Sequence, residues 1–410
     1  MNRDIKIARI VAAHYPEFIR SIYANNPELK SAPYSEQRDV IKEQEFHQYF
    51  GYEDHFRGMG VEAIDIVWDL ESLQLQWAKE QGLSLDYDFL TEDKMQVIMS
   101  ILVEQLRRFK PDVLFVHNAR LYEGGFWQYI KERVPSIRWI TCTMGFPLRN
   151  KMQAYGIDSF LCCVPSFMQE KYSGTVEKEL FYYCYDARPQ KTHKNIPFSF
   201  FGSTGNCGTM HHRTRYEYLL GLTYNADLKV YGKESSKIYT DNQRAVWSDY
   251  LKELRNSSDS AKVLSICKEI ADKKNPVVPP LAFFNHQAVR AGLFGKAYLD
   301  GLADSLVTFN IHTEHAYGDV GNMRMFEATG NGACMMVEHG RNIQHLFEPD
   351  TEVVTYRSIG EAVDKAQWLL QNPAKAKEIG AAGYLKTKTH HSFRSRAEQV
   401  IEHFNRVLQK

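Results

Sequence analysis

The sequence lacks any run of about 18 apolar residues, the length a helix needs to cross a bilayer, and Met1 to Ile7 carries no apolar stretch of a secretion signal. It also lacks net charge. Fifty Lys and Arg balance fifty Asp and Glu, so the broad basic field that grips nucleic acid is missing, and no nucleic-acid partner is expected. The seven cysteines (Cys142, Cys162, Cys163, Cys184, Cys207, Cys267 and Cys334) contain no C-x-x-C pair, and several lie in strand-like apolar runs. Buried free thiols in a reducing compartment fit that pattern, and a cytoplasmic protein is expected. The only Asp-x-Asp triplet, Asp86-Tyr87-Asp88, falls in a loop ahead of a helix, and Asp65 has its nearest acidic neighbour downstream at Asp69, the wrong spacing. No metal is expected. No glycine fingerprint follows the first strand, which argues against a dinucleotide there. Internal repeats and low-complexity segments are absent as well.

What is present is ordinary globular composition, 44% hydrophobic and 24% charged, in a chain long enough for two domains with their own cores. The first half alternates strand and helix. Ile5 to Ala13, Glu62 to Trp68, Pro111 to Asn118, Ile137 to Thr143, Asp158 to Val164 and Leu180 to Tyr185 read as strands, and Glu92 to Phe109 and Gly125 to Arg133 as helices. That alternation predicts a doubly wound parallel sheet. In such sheets ligands sit beyond the carboxyl ends of the strands, which places His14 where a general base would work, with His117 second. A hydrogen-bonded structural histidine is an equal reading of His14 and the plainer one of His117.

A polar, basic, proline-punctuated stretch from Asp186 to Pro197 is the best linker. A new α/β unit opens after it. Strand Pro197 to Phe201 runs into Gly202-Ser203-Thr204-Gly205-Asn206-Cys207-Gly208 and then a helix with His212, Arg213 and Arg215, an arrangement that can cradle a diphosphate. A plain turn of small residues fits equally well. Residues 238–281 read as mostly helical.

The most informative stretch is Gly318 to Val337. A glycine-broken loop enters a short helix, a Gly-Asn-Gly turn stops it, and an apolar run follows as a buried strand. Arg324 and Glu327 share one helix face, while Met325 and Phe326 turn toward a sheet. With its start near Asn322, the helix would offer N–H groups and a positive dipole end to a phosphate. Arg324 would add a charged fork, and Glu327 suits a ribose diol. The competing reading is a surface ion pair of little energetic weight.

Leu306 to His312 upstream, Arg324 to Ala328, the Gly330-Asn331-Gly332-Ala333 break and Leu346 to Tyr356 downstream together resemble the C-terminal half of GT-B glycosyltransferases. The likeness runs from about Phe198 to Phe404 and is nearest to the group-1-like branch with the spore-maturation (CgeB-like) proteins. It implies an α/β fold of two Rossmann-like doubly wound domains facing a cleft. Residues 1–187 would form the acceptor side and 188–388 the nucleotide-sugar side, with 389–410 as a helix crossing back.

Retaining relatives carry two acidic residues with seven residues between them at the donor helix. Asp319 and Glu327 hold that spacing, with Asp where Glu is usual, and Glu314 is the alternative first acid. The resemblance assigns Glu327 to the ribose, Asn322 and Arg324 to phosphate, and Asp319 or Glu314 to sugar hydroxyls. Asn310 and His312 stand beside that donor loop as candidate donor-binding residues, His312 toward sugar or phosphate, with a purely structural role equally open for it. It implies no cofactor, a UDP- or GDP-linked sugar as co-substrate, and transfer to a glycan, lipid-linked or protein acceptor without metal, leaning to retention. A nucleotide-sugar epimerase or hydrolase, or a non-catalytic assembly protein, are the alternatives. Lys386, Lys388, Arg394 and Arg396 suggest a peripheral contact at the inner face of the membrane.

Overall fold

The computed structural model describes residues 4–13, 15–44, 50–83, 94–119, 122, 125–205, 212–232, 234, 240–272, 274 and 278–409. His14 and the Asp86-Tyr87-Asp88 triplet lie outside them. The chain divides into two compact units: Met1–Tyr183 with Ser392–Lys410, and Cys184–His391.

The first unit is built on β1 (Lys6–Val11), α1 (Pro16–Asn25), α2 (Tyr34–Glu43), α3 (Glu53–Gly58), β2 (Glu62–Val67), α4 (Glu71–Glu80), α5 (Lys94–Phe109), β3 (Val113–Val116), α6 (Phe126–Arg133), β4 (Trp139–Met144), β5 (Ser159–Cys162) and β6 (Glu177–Leu180). Among the described residues these strands form one parallel sheet in the order β2-β1-β3-β4-β5-β6. Ile7, Ile10, Leu114, Val116, Ile140 and Phe160 are fully buried, the near-continuous apolar run that a sheet covered on both faces requires.

The last strand of this sheet departs from the sequence expectation. Glu177-Lys178-Glu179-Leu180 pairs with β5, whereas 181–185 is irregular. An edge strand carries charges that a search for apolar runs passes over.

The second unit contains β7 (Ile196–Phe201), α7 (Arg213–Asn225), β8 (Lys229–Tyr231), α8 (Asp241–Asn256), α9 (Ser260–Ile270), α10 (Leu281–Asn285), β9 (Val289–Arg290), α11 (Gly295–Asp304), β10 (Ser305–Asn310), α12 (Met323–Gly330), β11 (Cys334–Glu338), β12 (Val354–Tyr356), α13 (Ile359–Gln371) and α14 (Pro373–His390). Its described strands are all parallel, in the order β12-β11-β10-β7-β8-β9. From β7 the chain builds outward through β8 and β9, then returns to lay β10 on the other side of β7. The neighbouring carboxyl ends of β7 and β10 are therefore the topological switch point, where open α/β sheets bind ligands.

The proline-punctuated stretch is not a loose tether. Tyr185 N–H donates to the His391 carbonyl at 2.8 Å and Arg188 N–H to the Gly330 carbonyl at 3.0 Å. Arg188 pairs with Asp300 at 2.8 Å, and Lys194 Nζ donates to the Ala303 carbonyl at 2.7 Å. Its basic residues serve the second unit as packing ties.

The closing helix, α15 (Phe393–Val407), belongs to the first unit. Ala397, Val400, Ile401, Phe404 and Val407 recur at helical spacing and are buried. Arg396 is 9% exposed and its Nε donates to the Tyr182 carbonyl at 2.7 Å, which removes it from any basic surface. Among the described residues no helix is long and apolar enough to cross a membrane.

Candidate functional site

The loops leaving β7 and β10 meet at the switch point. β7 ends on Phe200 and Phe201, buried by the apolar pattern of a central strand, and the chain then turns through Gly202 at φ +137°, where a side chain would be strained. The turn is pinned by Gly202 N–H donating to the Tyr231 carbonyl at 2.9 Å and by Gly205 N–H donating to Ser203 Oγ at 3.4 Å. Residues 206–211 of the expected phosphate loop lie outside the described residues.

The loop after β10 is held from within. His312 Nε2 accepts both the Gly321 and the Asn322 backbone N–H, each at 2.9 Å, so this nitrogen carries no proton. The Nδ1–H then donates to Glu338 Oε1 at 2.9 Å. Glu338 also takes the His312 backbone N–H. With both ring nitrogens engaged, His312 offers neither to a ligand. It shapes the loop instead of touching phosphate, and it consumes two of the N–H groups expected to bind one.

Asn322 caps α12, its Oδ1 accepting from Met325 N–H at 3.3 Å. The same side chain forms a reciprocal amide pair with Asn310, two hydrogen bonds of 3.0 Å. Asn310 is fully buried, and its Oδ1 accepts from Arg324 Nη1 at 3.3 Å. Asn310 thus sets the direction of Arg324.

The helix face behaves as the spacing predicts. Met325 and Phe326 are fully buried, while Arg324 and Glu327 are half-buried. The Arg324 guanidinium lies 5.2 Å from the Phe200 ring centroid, an aromatic seat at the end of β7. Its Nε is enclosed and has no hydrogen-bond partner among the described residues. One turn on, Glu327 Oε2 accepts from the Tyr298 hydroxyl of α11 at 2.6 Å. Burial pushes the Glu327 carboxyl above its ordinary range, against the pull of the Tyr298 hydrogen bond and the Arg324 charge. An arginine fork and a carboxylate three residues apart, on one helix face at a switch point, can hold an anion and a diol side by side.

The acids expected to touch a sugar differ in placement. Asp319 is 3% exposed and its Oδ1 accepts from Arg341 Nε at 3.1 Å, while Arg341 also ties down the Tyr317 carbonyl. That ion pair closes the loop and keeps the carboxylate inside. Glu314 is half-buried on a short 3-10 turn, where Oε1 accepts from Thr214 Oγ1 of α7 at 3.0 Å. Of the two, Glu314 is the one presented.

Arg213 and Arg215 are also more deeply set than a phosphate fork requires, at 5% and 7% exposed. Arg215 Nη2 donates to the Ile311 carbonyl at 2.9 Å and so ties α7 to the end of β10, and burial lowers the pKa of Arg213. In the first unit His117 stands half-buried just past β3. Tyr298, Phe200, Thr214 and Arg341 are the supporting residues that sequence reasoning does not single out. Each reaches the site from another element, and no local spacing marks them.

Among the described residues, no three His, Cys, Asp or Glu side chains cluster as metal ligands do. Residues 225–402, most of the second unit together with part of α15, match the family model described as glycosyl transferase-like. No curated protein matches the sequence. The fold is similar to that of a glycosyltransferase from Rickettsia africae ESF-5, at 10% identity over 100% of both chains with a TM-score of 0.52. It is also similar to Anabaena HepE, solved in complex with UDP and glucose, at 8% identity over 98% of this chain and 99% of that one with a TM-score of 0.51. The fold is GT-B.

Proposed function

We propose that the protein transfers a sugar from a nucleotide-sugar donor and that the β7/β10 switch point of the second unit is the donor site. The observation that carries this reading is Arg324: a guanidinium seated on Phe200, directed by Asn310, with an enclosed Nε that has no partner among the described residues. A buried N–H is costly to leave unmade, and a diphosphate oxygen supplies the acceptor it lacks. Glu327, held by Tyr298, receives the ribose hydroxyls, and the Gly202-Ser203 turn lets the diphosphate approach the backbone.

When the donor breaks down, the bond between the anomeric carbon and the diphosphate opens, and negative charge grows on the leaving oxygen. In this reading Arg324 and the start of α12 stabilise it without a metal. Glu314, the presented acid, orients the sugar hydroxyls. A retaining course and a place in the spore-maturation (CgeB-like) branch are the finer parts of the proposal, and both rest on the resemblance around α12. UDP is the first nucleotide to test, because the similar Anabaena structure holds UDP and glucose.

Calorimetric titration of UDP, GDP, dTDP and CMP, with and without EDTA, tests the site. One nucleotide should bind at micromolar concentration regardless of EDTA. Arg324→Ala and Glu327→Ala should each weaken it ten- to a hundred-fold, about 1.5–3 kcal/mol for a charged hydrogen bond. A folded protein that binds none of the four is incompatible with this donor site.

A further inference from the structure

The first unit holds a cavity of about 360 Å³ at the carboxyl ends of β1 and β2, lined among others by Trp68, Asp69, Met95, Met99, Tyr122 and Phe126. Its aromatic wall is preformed. The Trp68 ring centroid lies 5.1 Å from that of Phe126 and 6.1 Å from that of Tyr122, and Tyr122 and Phe126 are 5.1 Å apart. Two methionines of α5 complete it with flexible, polarisable side chains that adapt to an irregular apolar shape.

One carboxylate and no Lys, Arg or His stands among the described lining residues. Asp69 Oδ1 accepts from the Ala13 N–H at 2.7 Å, which fixes the carboxylate in the cavity wall. Burial raises the Asp69 pKa. An anionic group placed here would find no cation among the described lining residues and would meet Asp69. Ligand pockets run from about 300 to 1,000 Å³, so this one is sized for a single ring or a short chain.

We propose that this cavity binds an uncharged alcohol with an apolar body, its hydroxyl donating to Asp69 and its hydrocarbon part lying against Trp68, Phe126 and the two methionines. Its role as the acceptor's seat rests on the transferase reading, which leaves the acceptor class open. Among glycan, lipid-linked and protein acceptors, the cavity selects a hydrophobic aglycone or an aromatic or aliphatic hydroxyl group, and rejects a phosphate head.

The test is a saturation-transfer NMR titration of the full chain with benzyl alcohol and with benzyl phosphate, UDP binding being measured on the same samples. Benzyl alcohol should bind at least ten-fold more tightly than benzyl phosphate. Met99→Trp, which fills the cavity, should weaken the alcohol at least ten-fold with UDP binding unchanged. Met95→Trp, at a position 47% exposed, should do the same and decides the matter if the first variant misfolds. Asp69→Asn should narrow the gap between the two probes. Equal binding of both probes, or alcohol binding indifferent to both tryptophans, overturns the cavity assignment. UDP failing while the alcohol behaves as expected overturns the donor site alone, and UDP binding without any alcohol site overturns the cavity alone.

Discussion

Gly202 and Arg324 compete for one volume: a Cβ on Gly202 would stand 2.5 Å from Arg324 Nη2. The glycine is needed twice over, once for its φ of +137° and once for the guanidinium beside it. Gly202→Ala should therefore cost about 1–3 kcal/mol in backbone strain and push Arg324 off the Phe200 ring. We expect nucleotide affinity to fall about as far as in Arg324→Ala, while the double variant loses little more than either alone. Titration of the two single variants and the double variant checks it. Additive losses would mean that the glycine and the arginine act independently.

The Tyr298 hydroxyl and Glu327 set a pH dependence. In the proposed donor site a ribose diol would donate to Glu327, which accepts both hydroxyls best when its carboxyl is ionised. Its pKa is raised by burial, and nucleotide affinity should fall as pH drops toward that raised value. Tyr298→Phe removes a bond that favours the ionised form, so the fall should begin at higher pH in that variant. Stability follows the opposite sense. The folded state holds the Glu327 proton more tightly than the unfolded chain, so this residue's contribution declines as pH rises from the ordinary carboxyl range through the raised pKa. UDP affinity measured from pH 5 to 8 on both proteins decides it, and superimposable curves would remove Glu327 from the ribose.

How much of this was legible beforehand depended on distance along the chain. The face of α12 was readable because Arg324, Met325, Phe326 and Glu327 are neighbours and helical spacing fixes where they point. The buried strand Ser305–Asn310 was readable for the same reason, from its own apolar run. The partners were not. His312 receives two N–H groups from a loop nine and ten residues away, Asp319 meets Arg341 22 residues on, and Arg215 reaches Ile311 across 96. Such contacts exist only once the sheet has brought β7 and β10 together, so the sequence suggested phosphate and sugar ligands where the fold uses tethers. The edge strand Glu177–Leu180 failed differently: its charges suit an open edge and mimic a loop.

His312 gives the sharpest separation between a tether and a ligand. If its ring holds the loop, His312→Ala leaves two N–H groups without their acceptor and removes one of the two hydrogen bonds that Glu338 takes from His312, and should cost about 2–4 kcal/mol. Nucleotide binding would fall with it, because α12 starts from that loop. Thermal unfolding and titration on the same variant check this. An unchanged melting temperature with weakened nucleotide binding would make His312 a ligand after all.

The closing helix should detach in acid through Glu179 and His403. His403 is 1% exposed; its Nδ1 meets Glu179 Oε2 at 2.9 Å, and its Nε2 meets Ser159 Oγ at 2.9 Å and Thr141 Oγ1 at 3.1 Å. The hydrogen bond from His403 and then that from Arg406 hold the Glu179 carboxyl down at about 2. A carboxyl depressed on folding contributes stability that is complete above its unfolded pKa and is lost as pH falls from there through the folded value. Its share should thus be intact at neutral pH and disappear between the ordinary carboxyl range and about pH 2. Glu179→Gln should lower stability at pH 7 by about 1.5–3 kcal/mol, the range for a charged hydrogen bond, and flatten the stability profile in that acid window. It should also make α15 the first segment cut in limited proteolysis, since it removes a charged tie from a helix that Gln399 and Arg396 also join to backbone carbonyls at 2.8 and 2.7 Å. Thermal melts from pH 2 to 7 and a proteolysis time course read both effects. An unaltered profile with α15 still protected would show that apolar packing of Val400, Ile401, Phe404 and Val407 suffices to hold the helix.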